Sequence, residues 1–213
     1  IDLDRKTVAQ RCRERSLMAI FGAVYELMAE AKGARAWCCK SLANINYLPG
    51  IEAYFKEAKY IYLYRDGRDV AVSFRKAVVG EKHFYHIARE WTATQQLALS
   101  MRDKIGPRRF FSVKYEDLTS NTENTMRGLC EFLGAPYSNS MLDFHRSDEA
   151  QRAAKSSDLW GNVVNPVMNN NSRKFIKEAS ESDVRIFESV AGDVMDVLGY
   201  DRAYTQRGSE MSF

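Results

Sequence analysis

Nowhere in the 213 residues do about 18 uncharged apolar residues follow one another, the run a membrane-crossing helix needs. A basic stretch leading into an apolar one is absent too, so no secretory signal is expected and the protein reads as cytoplasmic. Cysteine is scarce: Cys12, Cys38, Cys39 and Cys130. None forms a CxxC pair, and on an extended backbone the thiols at 38 and 39 point to opposite sides. Neither zinc nor a disulfide framework is therefore expected, and a reduced setting fits better. Excess charge is small as well. The 31 Lys+Arg exceed the 28 Asp+Glu by 3, which argues for no nucleic-acid partner and leaves any anion site to locally clustered cations. Internal repeats are missing, and low complexity is confined to Asn169-Asn170-Asn171.

What is there is enough for a core. With 45% hydrophobic and 12% aromatic residues, disorder is excluded and one globular domain is expected for this length. Leu17, Ile20, Phe21, Val24, Leu27 and Met28 recur at helical spacing, which predicts a helix over 5–31, ended by Gly33. Ala36-Trp37-Cys38-Cys39 reads as a short buried strand, and a helix after Pro49 is expected to end near Ala58. Tyr60-Ile61-Tyr62-Leu63-Tyr64 is β-branched and aromatic, the composition of a central strand. A helix carrying Val70, Val72 and Phe74 follows, then a long one with Ile87, Trp91, Ala98, Met101 and Ile105 on one stripe. Phe110–Val113 is a third strand. Met126, Leu129, Cys130 and Leu133 mark a helix closed by Gly134. Residues 146–172 read as a polar, irregular loop, and a last helix runs from Ser180, with Asp183 completing a capping box, to Leu198-Gly199.

Strands alternating with helices imply βαβ units and a parallel sheet covered on both faces. Ligands of such sheets sit beyond the carboxyl ends of the strands. That rule selects Lys40 after Cys39, Arg65 and Arg68 after Tyr64, and Tyr115 with Glu116 after Val113. At the middle position a guanidinium stands beside the opening turn of a helix, whose amides and dipole favour a phosphate. Ser73 lies eight residues after Arg65, two turns into that helix. The plain alternative pairs Arg65 and Arg68 with Asp66 and Asp69 in a charged cluster, with Ser73 as filler.

The string YLYRDGRDVAVSF resembles the 3′-phosphate-binding segment of sulfotransferases that use 3′-phosphoadenosine 5′-phosphosulfate (PAPS). The resemblance implies that Arg65 and Ser73 hold the nucleotide's 3′-phosphate. FFSVKYEDL, with the helix ending in FLG, looks like the family's next segment and implies that Tyr115 lies near the adenine. NNNSRKF resembles the segment that closes over the nucleotide, with Lys174 before Phe175 as the match and Arg173 beside it. AWCCKSL resembles the strand carrying the active-site lysine, which implies that Lys40 contacts the phosphosulfate. LGYDRAY looks like the tail of the protein-tyrosine branch. The resemblance spans 36–204. It implies a P-loop-NTPase-like, three-layer α/β fold with a parallel sheet, one domain over 1–204 and a tail over 205–213. PAPS is then the co-substrate and 3′-phosphoadenosine 5′-phosphate (PAP) the product, with no metal required.

The Gly-rich loop with which this family cradles the 5′-phosphosulfate has no counterpart, Gly22 and Gly33 being isolated. The chain opens at Ile1 within a helical pattern, so the fold is expected to be incomplete at the N-terminus. No general base is assigned. His83 and His86 have the i,i+3 spacing of a metal pair but lack a third ligand nearby, so a solvated or acceptor-facing pair is the expectation. The acceptor, a small molecule, glycan or peptide, is expected to meet residues 75–90 and 146–172. Three alternatives stay open. One is a nucleotide kinase-like phosphotransferase, although no GK[ST] is seen. Another is a non-catalytic nucleotide-binding module, and the third a homodimer in which a partner chain supplies the missing strand.

Overall fold

Two side-chain caps decide how the chain begins. In the computed structural model, which describes residues 3–78, 80–156 and 158–204, the chain divides into two compact units, Ile1–Ala58 and Lys59–Phe213. The expected tail at 205–213 lies outside the described residues.

In the first unit the expected helix over 5–31 is two helices, α1 Arg5–Arg11 and α2 Leu17–Ala31. Asp4 caps α1 by accepting from the amides of Lys6 and Thr7 at 2.8 and 2.9 Å. Ser16 starts α2 by accepting from Ala19 N at 3.1 Å, and its extended backbone breaks the helical path in between. The two pack together, with Arg11 paired to Glu30. The third helix, α3 Asn44–Tyr54, contains Pro49 rather than following it. Pro49 removes one backbone hydrogen bond, and the helix continues through it.

Ala36–Cys39 has no regular secondary structure and joins no sheet, so the expected strand there is absent. Aromatic contacts hold it instead. Trp37 stacks on Tyr25 with ring centroids 4.8 Å apart and meets Phe21 and Phe55 edge-on. Tyr25 Oη donates to Cys39 Sγ at 3.2 Å, and that bond, with burial, raises the tyrosine's pKa.

In the second unit the two remaining strands form as expected, β1 Tyr60–Tyr64 and β2 Phe110–Lys114, paired in parallel from Tyr60↔Phe110 to Tyr64↔Lys114. Between them run α4 Gly67–Lys76 and α5 Phe84–Ile105. After β2 come α6 Tyr115–Ser120 and α7 Thr122–Leu133. Gly134 closes α7 at φ 71, a left-handed position that glycine fills without cost.

The polar stretch expected as a loop holds α8 Asp148–Ser156, because Ser147 Oγ accepts from Ala150 N at 3.1 Å. A short α9 Phe175–Glu178 and then α10 Glu181–Val197 follow. Ser180 caps α10 by accepting from Asp183 N at 3.1 Å. The Asp183 carboxylate turns to Arg75 Nη1 at 2.8 Å rather than completing the box.

The core lies on the tyrosine face of the sheet. Val72, Phe84, Trp91, Phe187, Ala191 and Met195 are buried together, with Tyr62 and Tyr64 packed against them. On the opposite face Phe111 stacks on Phe132 of α7. Ile61 and Leu63 remain 41% and 54% exposed, so among the described residues the expected cover on both faces stops short of β1.

Charged groups are buried here too, Arg68 among them with its carboxylate partners. Arg68 makes two hydrogen bonds to Asp66, at 3.0 and 2.7 Å, and one to Glu188 at 2.7 Å. Burial alone would lower its pKa, but the bonds and charges of the two carboxylates outweigh that and raise it. Glu188, completely buried, also accepts from the amides of Ala203 and Tyr204 at 2.7 and 3.0 Å. Gly67 makes room for this packing, since a Cβ there would meet Phe187 at 2.3 Å and Trp91 at 2.8 Å. Glu188→Ala takes one of two carboxylates from a buried guanidinium and the acceptor from the amides of Ala203 and Tyr204, and is expected to cost about 3–5 kcal/mol in chemical denaturation. Arg68→Met with Glu188→Leu leaves the buried Asp66 carboxylate without its guanidinium and the same two amides without an acceptor, and should cost no less than that single change. A single-variant loss below about 1 kcal/mol would mean that water already reaches the pair.

Candidate functional site

Between β1 and α4 the chain turns on two residues, Arg65 and Asp66, and neighbouring side chains hold that turn. Asp66 Oδ1 accepts from Arg68 N at 2.9 Å and caps α4. Asp66 N donates to Glu116 Oε1 at 3.2 Å, and Trp91 Nε1 donates to the Arg65 carbonyl at 3.3 Å. Glu116 is fixed in turn by Tyr200, whose hydroxyl donates to Oε2 at 2.9 Å. Burial first, then the Glu116 charge and hydrogen bond, push that tyrosine's pKa far up.

The two arginines of the motif part company here. Arg68 is the core group just described. Arg65 lies over the ring of Tyr115, 4.4 Å from its centroid. One terminal nitrogen, Nη2, donates to the Asn171 carbonyl and stands 3.8 Å from Asp69 Oδ2. Its Nε is buried with no hydrogen-bond partner. A buried donor left without an acceptor costs about 1–3 kcal/mol, and an anionic oxygen would remove that cost.

The charged-cluster alternative therefore describes Arg68 and fits Arg65 less well, because its only ion pair among the described residues is long. Tyr115 contributes its hydroxyl too, accepting from Asn171 Nδ2 at 2.8 Å. Arg65, Tyr115 and the segment around Asn171 thus form one cluster.

Ser73 and Arg173 reach this cluster through Asp69. Ser73 Oγ donates to the Asp69 carbonyl at 2.9 Å along α4. The Asp69 carboxylate accepts from Arg173 N at 2.7 Å and from Phe175 N at 3.0 Å. Burial is the largest influence on Asp69 and raises its pKa; the Phe175 amide opposes this, the Asp66 charge adds to it, and Arg65 and the Arg173 amide also pull it down. Arg173 is exposed and takes a left-handed backbone at φ 57. Lys174, half-buried, precedes α9 directly. Lys40 belongs to the first unit, exposed on the unpaired segment after Cys39 rather than at the end of a strand.

Sequence reasoning missed two members, Asp69 and Asn171. The second aspartate of the motif reads as a partner for its neighbouring arginines, and Asn171 as part of a low-complexity triplet. Of the histidines, His83 uses Nδ1 to cap α5 by accepting from Tyr85 N at 3.2 Å, and its ring lies 5.7 Å from that of His86. Among the described residues no group of three or more His, Cys, Asp or Glu could hold a metal ion, and no helix is long and apolar enough to cross a membrane.

Comparison with known proteins joins these observations. Residues 3–139 match the profile of the sulfotransferase family. Protein-tyrosine sulfotransferase A of Caenorhabditis elegans is 27% identical over 194 residues, covering 86% of this chain and 50% of the relative. The protein-tyrosine sulfotransferase of Drosophila melanogaster is 24% identical over 155 residues, covering 69% of this chain and 31% of its own. The chain thus spans half or less of the length of these curated relatives. Two solved structures share its fold. The sulfotransferase domain from the curacin biosynthetic pathway superposes with a TM-score of 0.65 at 22% identity, covering 84% of this chain and 68% of that one. The sulfotransferase domain from the Synechococcus PCC 7002 olefin synthase gives 0.68 at 18%, covering 85% and 64%. The architecture is accordingly the P-loop-like α/β fold of sulfotransferase domains, here with a small parallel sheet, and the chain belongs to the sulfotransferase family.

Proposed function

We propose that the protein transfers a sulfuryl group from PAPS to a hydroxyl or amine acceptor and releases PAP. The observation that carries this reading is Arg65, a strand-end guanidinium with a buried Nε that has no acceptor. In the proposed complex that donor and Nη2 grip the 3′-phosphate as charge-assisted bonds. Ser73 exchanges its bond to the Asp69 carbonyl for one to the same phosphate. Tyr115, already stacked under the guanidinium, lies beside the adenine, and Arg173 and Lys174 close over the nucleotide. The family match runs from the first unit into the second, which supports treating 1–204 as one sulfotransferase domain.

Lys40 takes the sulfuryl end. A lone pair on the acceptor attacks sulfur, and the bond from sulfur to the bridging oxygen breaks. That oxygen leaves with the electron pair on the 5′-phosphate of PAP, and the acceptor's proton passes to a base. Charge grows on the bridging oxygen as the bond breaks, so a fixed ammonium there favours the transition state over the ground state. Both named relatives are protein-tyrosine sulfotransferases, so a tyrosyl peptide is the acceptor to assay first, ahead of small phenols and glycans.

Calorimetric titration should show PAP binding without Mg²⁺ and in preference to ATP, which separates this reading from a phosphotransferase. Arg65→Ala is expected to weaken PAP binding by about 1.5–3 kcal/mol; an unchanged titration would refute the phosphate site. Lys40→Ala should slow sulfate transfer by about a hundredfold while PAP affinity stays within error. The opposite pattern, weak PAP binding with normal turnover, would remove Lys40 from the chemistry.

A further inference from the structure

The two aspartates of the motif do different work. Asp66 is accounted for by Arg68 and by the cap of α4. Asp69 is completely buried, yet its nearest cation, Arg65 Nη2, stands at 3.8 Å, beyond hydrogen-bond reach. Both its oxygens accept instead from backbone amides 104 and 106 residues further along, Arg173 N on Oδ2 and Phe175 N on Oδ1. Those two amides converge because Arg173 is left-handed at φ 57 and Lys174 is helical at φ −64, ψ −30. A left-handed residue followed by a helical one aims alternate N–H groups at one point, a concavity that binds an anion. Here the anion is part of the protein.

A left-handed backbone is unfavourable for arginine, so something must hold it. Phe175 is anchored independently, being 3% exposed and lying under the Arg68 guanidinium at 4.0 Å. The carbonyls of Arg173 and Lys174 accept from amides of α9, Ile176 N at 3.3 Å and Lys177 N and Glu178 N at 3.0 Å, whereas on the upstream side the segment is tied by the Asp69 bond to Arg173 N, by the Asn171 carbonyl to Arg65 and by the Asn171 side chain to Tyr115. Asp69 Oδ2 therefore faces Arg65 on one side and the Arg173 amide on the other.

We propose that Asp69 is a positioning residue for the donor nucleotide: its carboxylate clamps the 171–175 backbone and so sets Arg173 and Lys174 against the Arg65 site. This rests on the nucleotide reading above. The sign of its effect distinguishes it from a simple electrostatic role. A negative charge 3.8 Å from Arg65 opposes a phosphate, so if charge alone mattered, neutralising Asp69 would tighten PAP binding. If it holds the segment, neutralising it loosens PAP binding.

Asp69→Asn keeps the shape but offers one acceptor oxygen and turns an NH₂ group towards the second amide. Titrated with PAP, this variant should bind about tenfold more weakly. Adding Arg173→Ala and Lys174→Ala to it should change affinity little further, whereas the same pair in the wild type should lose a similar factor. Hydrogen exchange supplies a reading that depends on neither PAP nor a variant. In the wild type the amides of Arg173 and Phe175 should exchange about tenfold more slowly than those of Ser172 and Lys174. Equal rates, or PAP binding that is retained or tightened in a folded Asp69→Asn protein, would overturn the Asp69 assignment alone. Absence of PAP binding by the wild type would instead bring down the nucleotide reading, and the purpose given to the clamp with it.

Discussion

The second unit is assembled around a guanidinium that water barely reaches. Arg68 leaves solvent only because Asp66 and Glu188 meet its donors with good geometry, and an arginine buried without such partners would be untenable. Asp66 belongs to the turn after β1, while Glu188 belongs to α10. One charged group therefore joins the start of α4 to α10. Glu188 extends the joint by accepting the amides of Ala203 and Tyr204. With Phe175 beneath the guanidinium, segments distant in sequence share one buried centre.

That arrangement explains how two arginines in one short motif acquire opposite characters. Arg68 has its donors committed to carboxylates in the interior. Arg65 has a ring beneath it, a carbonyl at one nitrogen and a buried nitrogen with nothing to bond. A rigid turn, held by Trp91 and by Glu116 through Tyr200, keeps the second from collapsing into the pattern of the first. Preorganisation of this kind is what a binding site requires of its scaffold.

Much of this was readable from local pattern. The two strands, the long α5 stripe, the Gly134 terminus and the Ser180 cap each depend on residues a few positions apart, and each formed where spacing placed it. Elements that depend on partners elsewhere were not readable. Ala36–Cys39 has strand composition, but its side chains found aromatic neighbours rather than a sheet. The break at 12–16 and the α8 helix hinge on single serine caps within polar stretches. Within the site, Arg65 and Arg68 look alike in sequence, and only the position of Glu188 tells them apart. Asp69 and Asn171 escaped notice because their partners lie 104 and 56 residues away, where periodicity carries no information.

The carboxylates around the β1–α4 junction have a consequence of their own. Asp66, Asp69, Glu116 and Glu188 outnumber the guanidiniums of Arg65 and Arg68 among them, so the resting neighbourhood is not a basic basin. A lone inorganic anion arriving there gains little from the surrounding field. Under the proposed reading, a ligand long enough to draw in the cations at 173 and 174 as well is favoured. Discrimination then comes from the reach of the guest, not from the strength of any single contact.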